Sequence, residues 1–183
     1  IGSRSITANA NGVYITGRTS GVNGISTEGS FQPTKLGLSN FFINNFSDTG
    51  QRLWGSYLGN GIGGQGVDIS NLNYDTEGNI YISGTATLIV DIPTADGYQT
   101  QKNGSGDLFV SKISADGSTK LYATYYGGSD AETGGYLVPK GNGDSFFLVG
   151  TTASSTGMTT AGAWQEDLLH DGYQSKNIII AKF

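Results

Sequence analysis

Cysteine is absent from this chain of 183 residues, and proline occurs only three times. The absence of cysteine excludes disulfide bonds and thiolate metal sites, and it fits either the cytosol or a bacterial exterior. Charged residues are scarce at 14%, against about 25% in typical soluble domains. With a net charge of −5, the chain has no basic stripe for a nucleic acid or an anionic membrane. No apolar run is long enough to span a membrane, so we expect no membrane insertion.

Glycine and short apolar segments are what the chain contains instead, with 30 glycines and a hydrophobic content of 36%. This composition excludes a disordered chain and is typical of β-proteins with many tight turns. Helical periodicity is absent, and the best helix candidate, "AWQEDLLHDG" at 163–172, is short and lies in a predicted loop. The chain begins at Ile1 and shows no signal peptide, which predicts a processed protein or a fragment.

An internal repeat of about 67 residues is the main feature of the sequence. Its clearest marker is a strand-like phrase ending in glycine, with copies at Gly17, Gly84 and Gly150 that lie 67 and 66 residues apart. An aromatic residue followed by glutamine comes next, and then a third phrase. The copies are Phe31, Tyr98 and Trp164 for the aromatic residue, and "NFFINNF" (40–46), "DLFVSKI" (107–113) and "NIIIAKF" (177–183) for the third phrase.

Two further phrases complete the repeat, and one of them occurs only twice. The first phrase reads "SRSITA" (3–8), "VDISNLNY" (67–74) and "GGYLVP" (134–139), and the fourth reads "LWGSYLG" (53–59) and "LYATYYG" (121–127). All are short, rich in β-branched and aromatic residues, and bounded by turn clusters such as "DTEG" and "SADG". The phrases therefore predict eleven strands, with four per unit in the first two units and three in the last.

Strands that are apolar on both faces, such as "LFVSKI", are typical of four-stranded sheets packed face to face. We therefore predict an all-β fold, a β-propeller built of four-stranded antiparallel blades, of which about three are present. The predicted blades are residues 1–67, residues 68–133, and residues 134–183, the last without its outermost strand.

The repeat units resemble the bacterial β-propeller repeat known as SBBP. "DLFVSKISADGSTKLYATYYGG" (107–128) and "GDSFFLVGTTASSTGMTTAGAWQ" (143–165) carry the resemblance, and the first unit is similar more loosely because "NFFINNFSDTG" lacks the lysine. The resemblance implies a large secreted or surface protein of bacteria, suited to adhesins and other surface assemblies, with type IX secretion in members from the Bacteroidota. It also implies that the first phrase is the innermost strand, with the second, third and fourth phrases following outward.

Three blades fall short of the about four to eight that propellers usually have, and they would leave two apolar faces and several strand edges open. Further blades upstream in the full-length protein, a second copy forming a six-bladed ring, or a partner chain would each cover them. We expect the first, because many propellers complete their last blade with a strand from the N-terminal region. In every case, another segment should pair with the edge of residues 177–183.

Aromatic residues are the candidates for ligand binding. Trp54, Tyr122 and Trp164 would suit contact with a protein or a glycan, and the recurring aromatic position would suit a ring of sugar-stacking platforms. For that position, at Phe31, Tyr98 and Trp164, we favour packing of the loop against the blade, since aromatic residues dominate cores through their buried area.

The acidic link "GGSDAETGG" (127–135) is the candidate metal site, with Asp130 and Glu132 as ligands and Ca²⁺ as the ion. No calcium-loop motif is present, so we favour a solvated turn and expect no cofactor. His170, the only histidine, has no apparent catalytic partner and is expected in an exposed loop. The glycine-rich segment 59–66 lacks the helix context and the GK[ST] ending of a phosphate-binding loop.

Two classes of function remain after these exclusions. The first is a non-catalytic propeller module of a secreted or cell-surface bacterial protein, which acts as a scaffold and as a binding surface for proteins or glycans. The second is a lectin or a polysaccharide-active enzyme with its site at the axial mouth. We favour the first, because the predicted inner strands and axial loops carry few ionisable side chains.

Overall fold

The computed structural model describes residues 2–59, 67–88, 92–167 and 176–183, with side chains from Ser5 onward. These residues form eleven strands and no α-helix, as the sequence predicts; the described part of the chain thus has no helix able to span a membrane. The strands are β1 (Gly2–Asn9), β2 (Gly12–Thr19), β3 (Asn40–Phe46), β4 (Arg52–Leu58), β5 (Val67–Tyr74), β6 (Ile80–Ala86), β7 (Asp107–Ile113), β8 (Lys120–Tyr126), β9 (Glu132–Lys140), β10 (Ser145–Thr152) and β11 (Asn177–Lys182).

The strands form three antiparallel sheets that follow the chain. The first sheet has the order β1-β2-β3-β4, the second β5-β6-β7-β8 and the third β9-β10-β11. This confirms the all-β class and the predicted order of phrases within a sheet, and the third sheet has no fourth strand among the described residues. Those residues form no closed propeller, so the blade architecture and the unit boundaries at 67 and 133 stay predictions.

The three sheets share irregularities as well as strand order. The pairing of the first with the second strand shifts between Ser3 and Ser5, between Ile69 and Asn71, and at the corresponding point of the third sheet beside Gly150. A bulge at this point bends the strand and increases its twist. Its recurrence means that the first and second strands pair with the same backbone register in the three units.

The core consists mainly of two apolar layers on either side of the second sheet. Neighbouring residues of β7 alternate between them: Phe109 and Ile113 belong to the layer facing the first sheet, whereas Leu108 and Val110 belong to the layer facing the third. All four side chains are completely buried. The near-continuous apolar run of β7 therefore reflects a strand that is covered on both faces.

Polar contacts also fix the third sheet on the second. The side chain of Asn71 accepts a hydrogen bond from Leu137 N at 3.3 Å, and that of Asn73 donates one to Leu137 O at 3.1 Å. At the far end of these strands, Lys112 Nζ of the second sheet donates a hydrogen bond to Gly143 O, in the turn before β10, at 3.2 Å. These contacts hold the third sheet in a defined position, although the described residues provide it with no fourth strand.

Candidate functional site in the third sheet

Two of the three aromatic candidates pack between sheets. Trp54 is 8% exposed, and its indole N–H donates a hydrogen bond to Ala115 O of the second sheet at 3.1 Å. Tyr122 is half-buried: its hydroxyl accepts a hydrogen bond from Tyr98 N at 3.2 Å, and its ring lies 6.3 Å from that of Phe146 in the third sheet. Burial leaves Trp54 little ring surface for a ligand, and the ring of Tyr122 already packs on the neighbouring sheet.

The recurring aromatic position becomes more exposed along the chain. Phe31 is partly buried against the layer between the first two sheets, and its N–H donates to Gly117 O at 3.0 Å. Tyr98 is 68% exposed but keeps an edge contact with Phe183 of the third sheet, at a centroid distance of 5.6 Å. Trp164 is fully exposed. The packing prediction is therefore wrong for Trp164, because this position packs on the following sheet and no described sheet follows the third.

The third strand of each sheet shows the same progression. Its second and fourth residues point toward the following sheet. The equivalent pairs are Phe41 and Ile43 at 7% and 0% exposure, Leu108 and Val110 both at 0%, and Ile178 and Ile180 at 75% and 69%. This apolar pair is thus buried in the first and second sheets and exposed to solvent in the third.

Three further apolar residues lie on the same side of the third sheet. Tyr136 and Val138 on β9 are 59% and 60% exposed, and Phe147 on β10 is 39% exposed. We call the surface of Tyr136, Val138, Phe147, Ile178 and Ile180 the open face. The intervening residues of these strands point to the buried layer, so the open face is the solvent side of an otherwise well-packed sheet. Contiguous apolar surfaces of this kind mark interaction sites.

The fourth strand of the first sheet is held along both of its edges. One edge pairs with β3, and the other meets the loop that connects β2 to β3. In that loop Thr27 N donates to Gly55 O at 2.9 Å, Gln32 O accepts from Tyr57 N at 3.1 Å, and Gln32 N donates to Ser56 Oγ at 2.9 Å. The loop therefore acts as a further pairing partner of β4.

The second sheet repeats this arrangement residue by residue. Thr94 N donates to Ala123 O at 3.0 Å, Gln99 O accepts from Tyr125 N at 3.0 Å, and Gln99 N donates to Thr124 Oγ1 at 2.9 Å. The third unit has the equivalent loop residues, Thr160 and Gln165, but no strand between this loop and β11 among the described residues.

A cavity of about 610 Å³ lies between this loop and β11, at the position that β4 and β8 occupy in the other two sheets. We call it the strand slot, and we define it by Thr160, Trp164 and Gln165 on the loop side and by β11 on the other. Met158 and Tyr126 also line it, and the Tyr126 hydroxyl donates to Met158 O at 2.6 Å. Burial raises the pKa of Tyr126 to about 12, so this phenol stays a neutral donor at ordinary pH.

The two acidic candidates differ in their surroundings. Asp130 is exposed, as expected for a turn, whereas Glu132 is completely buried, so the solvated-turn prediction is wrong for Glu132. The Glu132 carboxylate accepts hydrogen bonds from Thr152 Oγ1 at 2.6 Å, Ser154 Oγ at 2.6 Å and Gly128 N at 3.0 Å. These three donors explain how the acid is tolerated in the interior.

Within the described ranges, no group of three or more histidine, cysteine, aspartate or glutamate residues is placed to hold a metal ion. A Ca²⁺ ion at Asp130 and Glu132 stays a prediction. His170 and most of segment 59–66 lie outside the described residues.

Sequence reasoning missed Asp107, a completely buried carboxylate at the start of β7. Its Oδ2 accepts hydrogen bonds from Gln99 Nε2 at 2.6 Å and from Asn103 N at 2.9 Å, whereas its Oδ1 is buried and has no partner among the described residues. Burial raises the pKa of Asp107. The repeat contained a signal, because the equivalent residues Asn40 and Asn177 are amides.

No family model matches the chain, and no curated protein matches it.

Proposed function

We propose that this chain is a non-catalytic β-propeller module in which the three sheets are blades. It serves a secreted or cell-surface bacterial protein as a scaffold and as a binding surface for proteins or glycans. The resemblance of the repeat units to SBBP sequences supports the extracellular or cell-surface location. The module binds further blades, either upstream in the full-length protein or in a second chain.

The open face is the observation that carries this proposal. Equivalent surfaces of the first and second sheets are covered by the sheet that follows, whereas Ile178 and Ile180 are 75% and 69% exposed. Burying one such side chain is worth about 1.5–3 kcal/mol, so leaving both in water is costly. A surface with this composition and this repeat relationship fits another sheet of the same kind.

Carbohydrate binding is the second candidate function, and the full exposure of Trp164 favours it. An indole ring that no protein group covers can stack on the apolar face of a sugar. A lectin-like role agrees with the non-catalytic proposal, whereas polysaccharide-active catalysis would contradict it.

A glycan array combined with a screen for polysaccharide hydrolysis tests the proposal. We expect no turnover from the purified chain. If glycans bind, the Trp164→Ala variant should lose them while Trp164→Phe, which keeps an aromatic ring, retains part of the signal. Reproducible turnover of any polysaccharide by the wild-type chain would contradict the non-catalytic proposal.

A further inference from the structure

We propose that the strand slot binds a β-strand donated by a segment outside the described residues, and that the donated strand has the residue pattern shared by β4 and β8. The pattern is an aromatic residue, a small residue, a hydroxyl residue and a tyrosine, as in "WGSY" (54–57) and "YATY" (122–125). This inference deepens the proposed function, since it names the chemistry of the segment that completes the third sheet.

The first edge of the slot is the free side of β11. Residues 177–182 pair with β10 through their inner edge, while β3 and β7 each pair with a strand on both sides. The outer edge of β11 therefore presents main-chain donors and acceptors to the slot. An extended peptide satisfies such groups by adding itself to the sheet.

The second edge is the loop of Thr160 and Gln165, which already has the conformation seen in the other units. Thr160 O accepts from Ala163 N at 3.0 Å, and Gln165 Nε2 donates to Asp167 O at 3.0 Å. The equivalent loops make the same bonds. In the first unit Ser30 N donates to Thr27 O and Gln32 Nε2 to Thr34 O. In the second unit Gly97 N donates to Thr94 O and Gln99 Nε2 to Gln101 O. Because the loop is preorganised, binding costs little ordering entropy at this edge.

A buried side-chain donor also points to the missing strand. Asn177 Nδ2 is buried and has no hydrogen-bond partner among the described residues. In the first sheet, the equivalent Asn40 Nδ2 donates to Gly59 O, directly after β4. A buried amide without an acceptor is costly, and a donated strand would bring the required carbonyl to Asn177.

The contacts of β4 and β8 define which residues the slot accepts. The small residue, Gly55 or Ala123, lies between the adjacent strand and a loop main chain that hydrogen-bonds to its carbonyl. The hydroxyl residue that follows, Ser56 or Thr124, accepts from the main-chain N–H of the loop glutamine. A bulky residue at the first position or an apolar one at the second would lose these contacts.

The tyrosine of the pattern also has a place in the slot. Tyr57 is 1% exposed and packs with Ile25 and Phe42, whose equivalents in the third unit are Met158 and Ile179. Both line the slot. The aromatic ring of a donated strand would therefore enter a pocket of thioether and aliphatic groups.

Binding of synthetic peptides to the complete chain tests this inference. The probe is KLYATYYG, the sequence of residues 120–127, measured by calorimetry and by hydrogen exchange. We expect saturable binding of one peptide per chain, with new protection of amides in β11 and at Thr160 and Gln165. The peptide with Thr124→Val should bind about tenfold more weakly, the equivalent of one hydrogen bond. The peptide with Ala123→Phe should not bind.

A pair of chain variants provides the matched control. Asn177→Leu should weaken peptide binding about tenfold through loss of one hydrogen bond, whereas Asn142→Leu, at an exposed turn of the same sheet, should leave it unchanged. Absence of saturable binding, equal binding of the Ala123→Phe peptide, or protection that avoids β11 would each overturn the inference. A chain dimer that persists when the open face carries Ile178→Lys with Ile180→Lys, and that the peptide does not dissociate, would assign the slot to a second copy and overturn it as well. Each of these outcomes is independent of the glycan and hydrolysis screens.

Discussion

At the scale of single residues, Asp107 is the exception among three equivalent positions. Asn40 and Asn177 each have an amide nitrogen where Asp107 has an oxygen, and the Asn40 nitrogen donates to Gly59 O. The equivalent acceptor in the second unit is the carbonyl of Gly127. An ionised Asp107 would place Oδ1 near this carbonyl without a donor, whereas a protonated Asp107 could donate to it as Asn40 does.

Replacing Asp107 by asparagine should therefore stabilise the protein. We expect Asp107→Asn to raise the free energy of unfolding at neutral pH by about 1–3 kcal/mol, the cost of a buried group without its hydrogen bond. Burial raises the pKa of Asp107 in the folded chain; the hydrogen bonds from Asn103 and Gln99 and the positive charge of Lys102 oppose this shift, and the negative charge of Glu132 adds to it. The stability contribution of Asp107 is thus complete below the unfolded value of 3.8 and is lost as the pH rises through the folded value.

Urea unfolding of the wild type and the variant from about pH 4 to about pH 8 measures this effect. The advantage of the variant should be small at the acidic end and should grow with pH. Asn40→Asp is the mirror control, and it should introduce the same pH dependence into the first sheet. A variant advantage that stays constant with rising pH would show that folding does not raise the pKa of Asp107, and one that shrinks would show that folding lowers it.

At the scale of elements, the pairing of the third with the fourth strand differs between the first two sheets. Gly55 lies opposite Asn44 in the first sheet, and Ala123 lies opposite Ser111 in the second. A Cβ atom on Gly55 would clash with the Asn44 side chain and with Ile25 O. The large side chain and the glycine are therefore a matched pair.

We expect Gly55→Ala to destabilise the chain by about 1–3 kcal/mol through this overpacking. Adding Asn44→Ser, which installs the pair of the second sheet, should recover part of the loss because the loop carbonyl still opposes the new methyl group. A double-mutant cycle in urea, with Asn44→Ser alone as the control, measures the coupling. Additive effects of the two substitutions would mean that Asn44 is not the group that requires glycine.

The strands and their order could be predicted because the same pattern of apolar phrases and turns occurs three times in the sequence. The surroundings of individual side chains were harder to predict, since they depend on the sheet that follows. Trp164 illustrates this: its position packs in the earlier units, but packing needs a neighbour that the phrase itself does not encode. Glu132 illustrates the reverse case, a residue expected in solvent that is buried. The hydroxyl groups of Thr152 and Ser154 that bind its carboxylate come from a strand and a loop about 20 residues away.

The role of the loop between the second and third strands was also beyond sequence reasoning. Each copy of this loop has an aromatic residue followed by glutamine, and this repetition indicated a function for the side chains. In the structure, the main chain of Gln32 and Gln99 bonds to the fourth strand. Their side chains bond to the glycine that follows it: Gln32 Nε2 donates to Gly59 O at 2.9 Å, and Gln99 Oε1 accepts from Gly127 N at 3.0 Å. These contacts account for the repeated glutamine, and the equivalence of Gln165 to these residues locates the second edge of the slot.

At the scale of the whole molecule, the three sheets form a stack with one covered layer on each side of the second sheet and an apolar surface at its end. The open face has the alternation of a buried sheet, because Ile178 and Ile180 are exposed while Ile179 between them is 6% exposed. The exposed pair contributes little to the stability of the chain itself, and we expect it to contribute to contacts with other molecules. The two contributions can be separated by substitution.

We expect the isolated chain to associate through the open face, and Ile178→Lys with Ile180→Lys to abolish this association. Sedimentation velocity over a range of micromolar concentrations measures it: the sedimentation coefficient of the wild type should rise with concentration, and that of the double variant should not. The free energy of unfolding of the double variant should lie within about 0.5 kcal/mol of the wild-type value, because substitutions at exposed positions change stability little. The matched control is Val22→Lys with Leu38→Lys, which changes two residues at 66% and 73% exposure outside the open face. Equal loss of association in the control would attribute the effect to net charge, and a wild type that stays monomeric throughout would contradict the assignment of the open face as a contact surface.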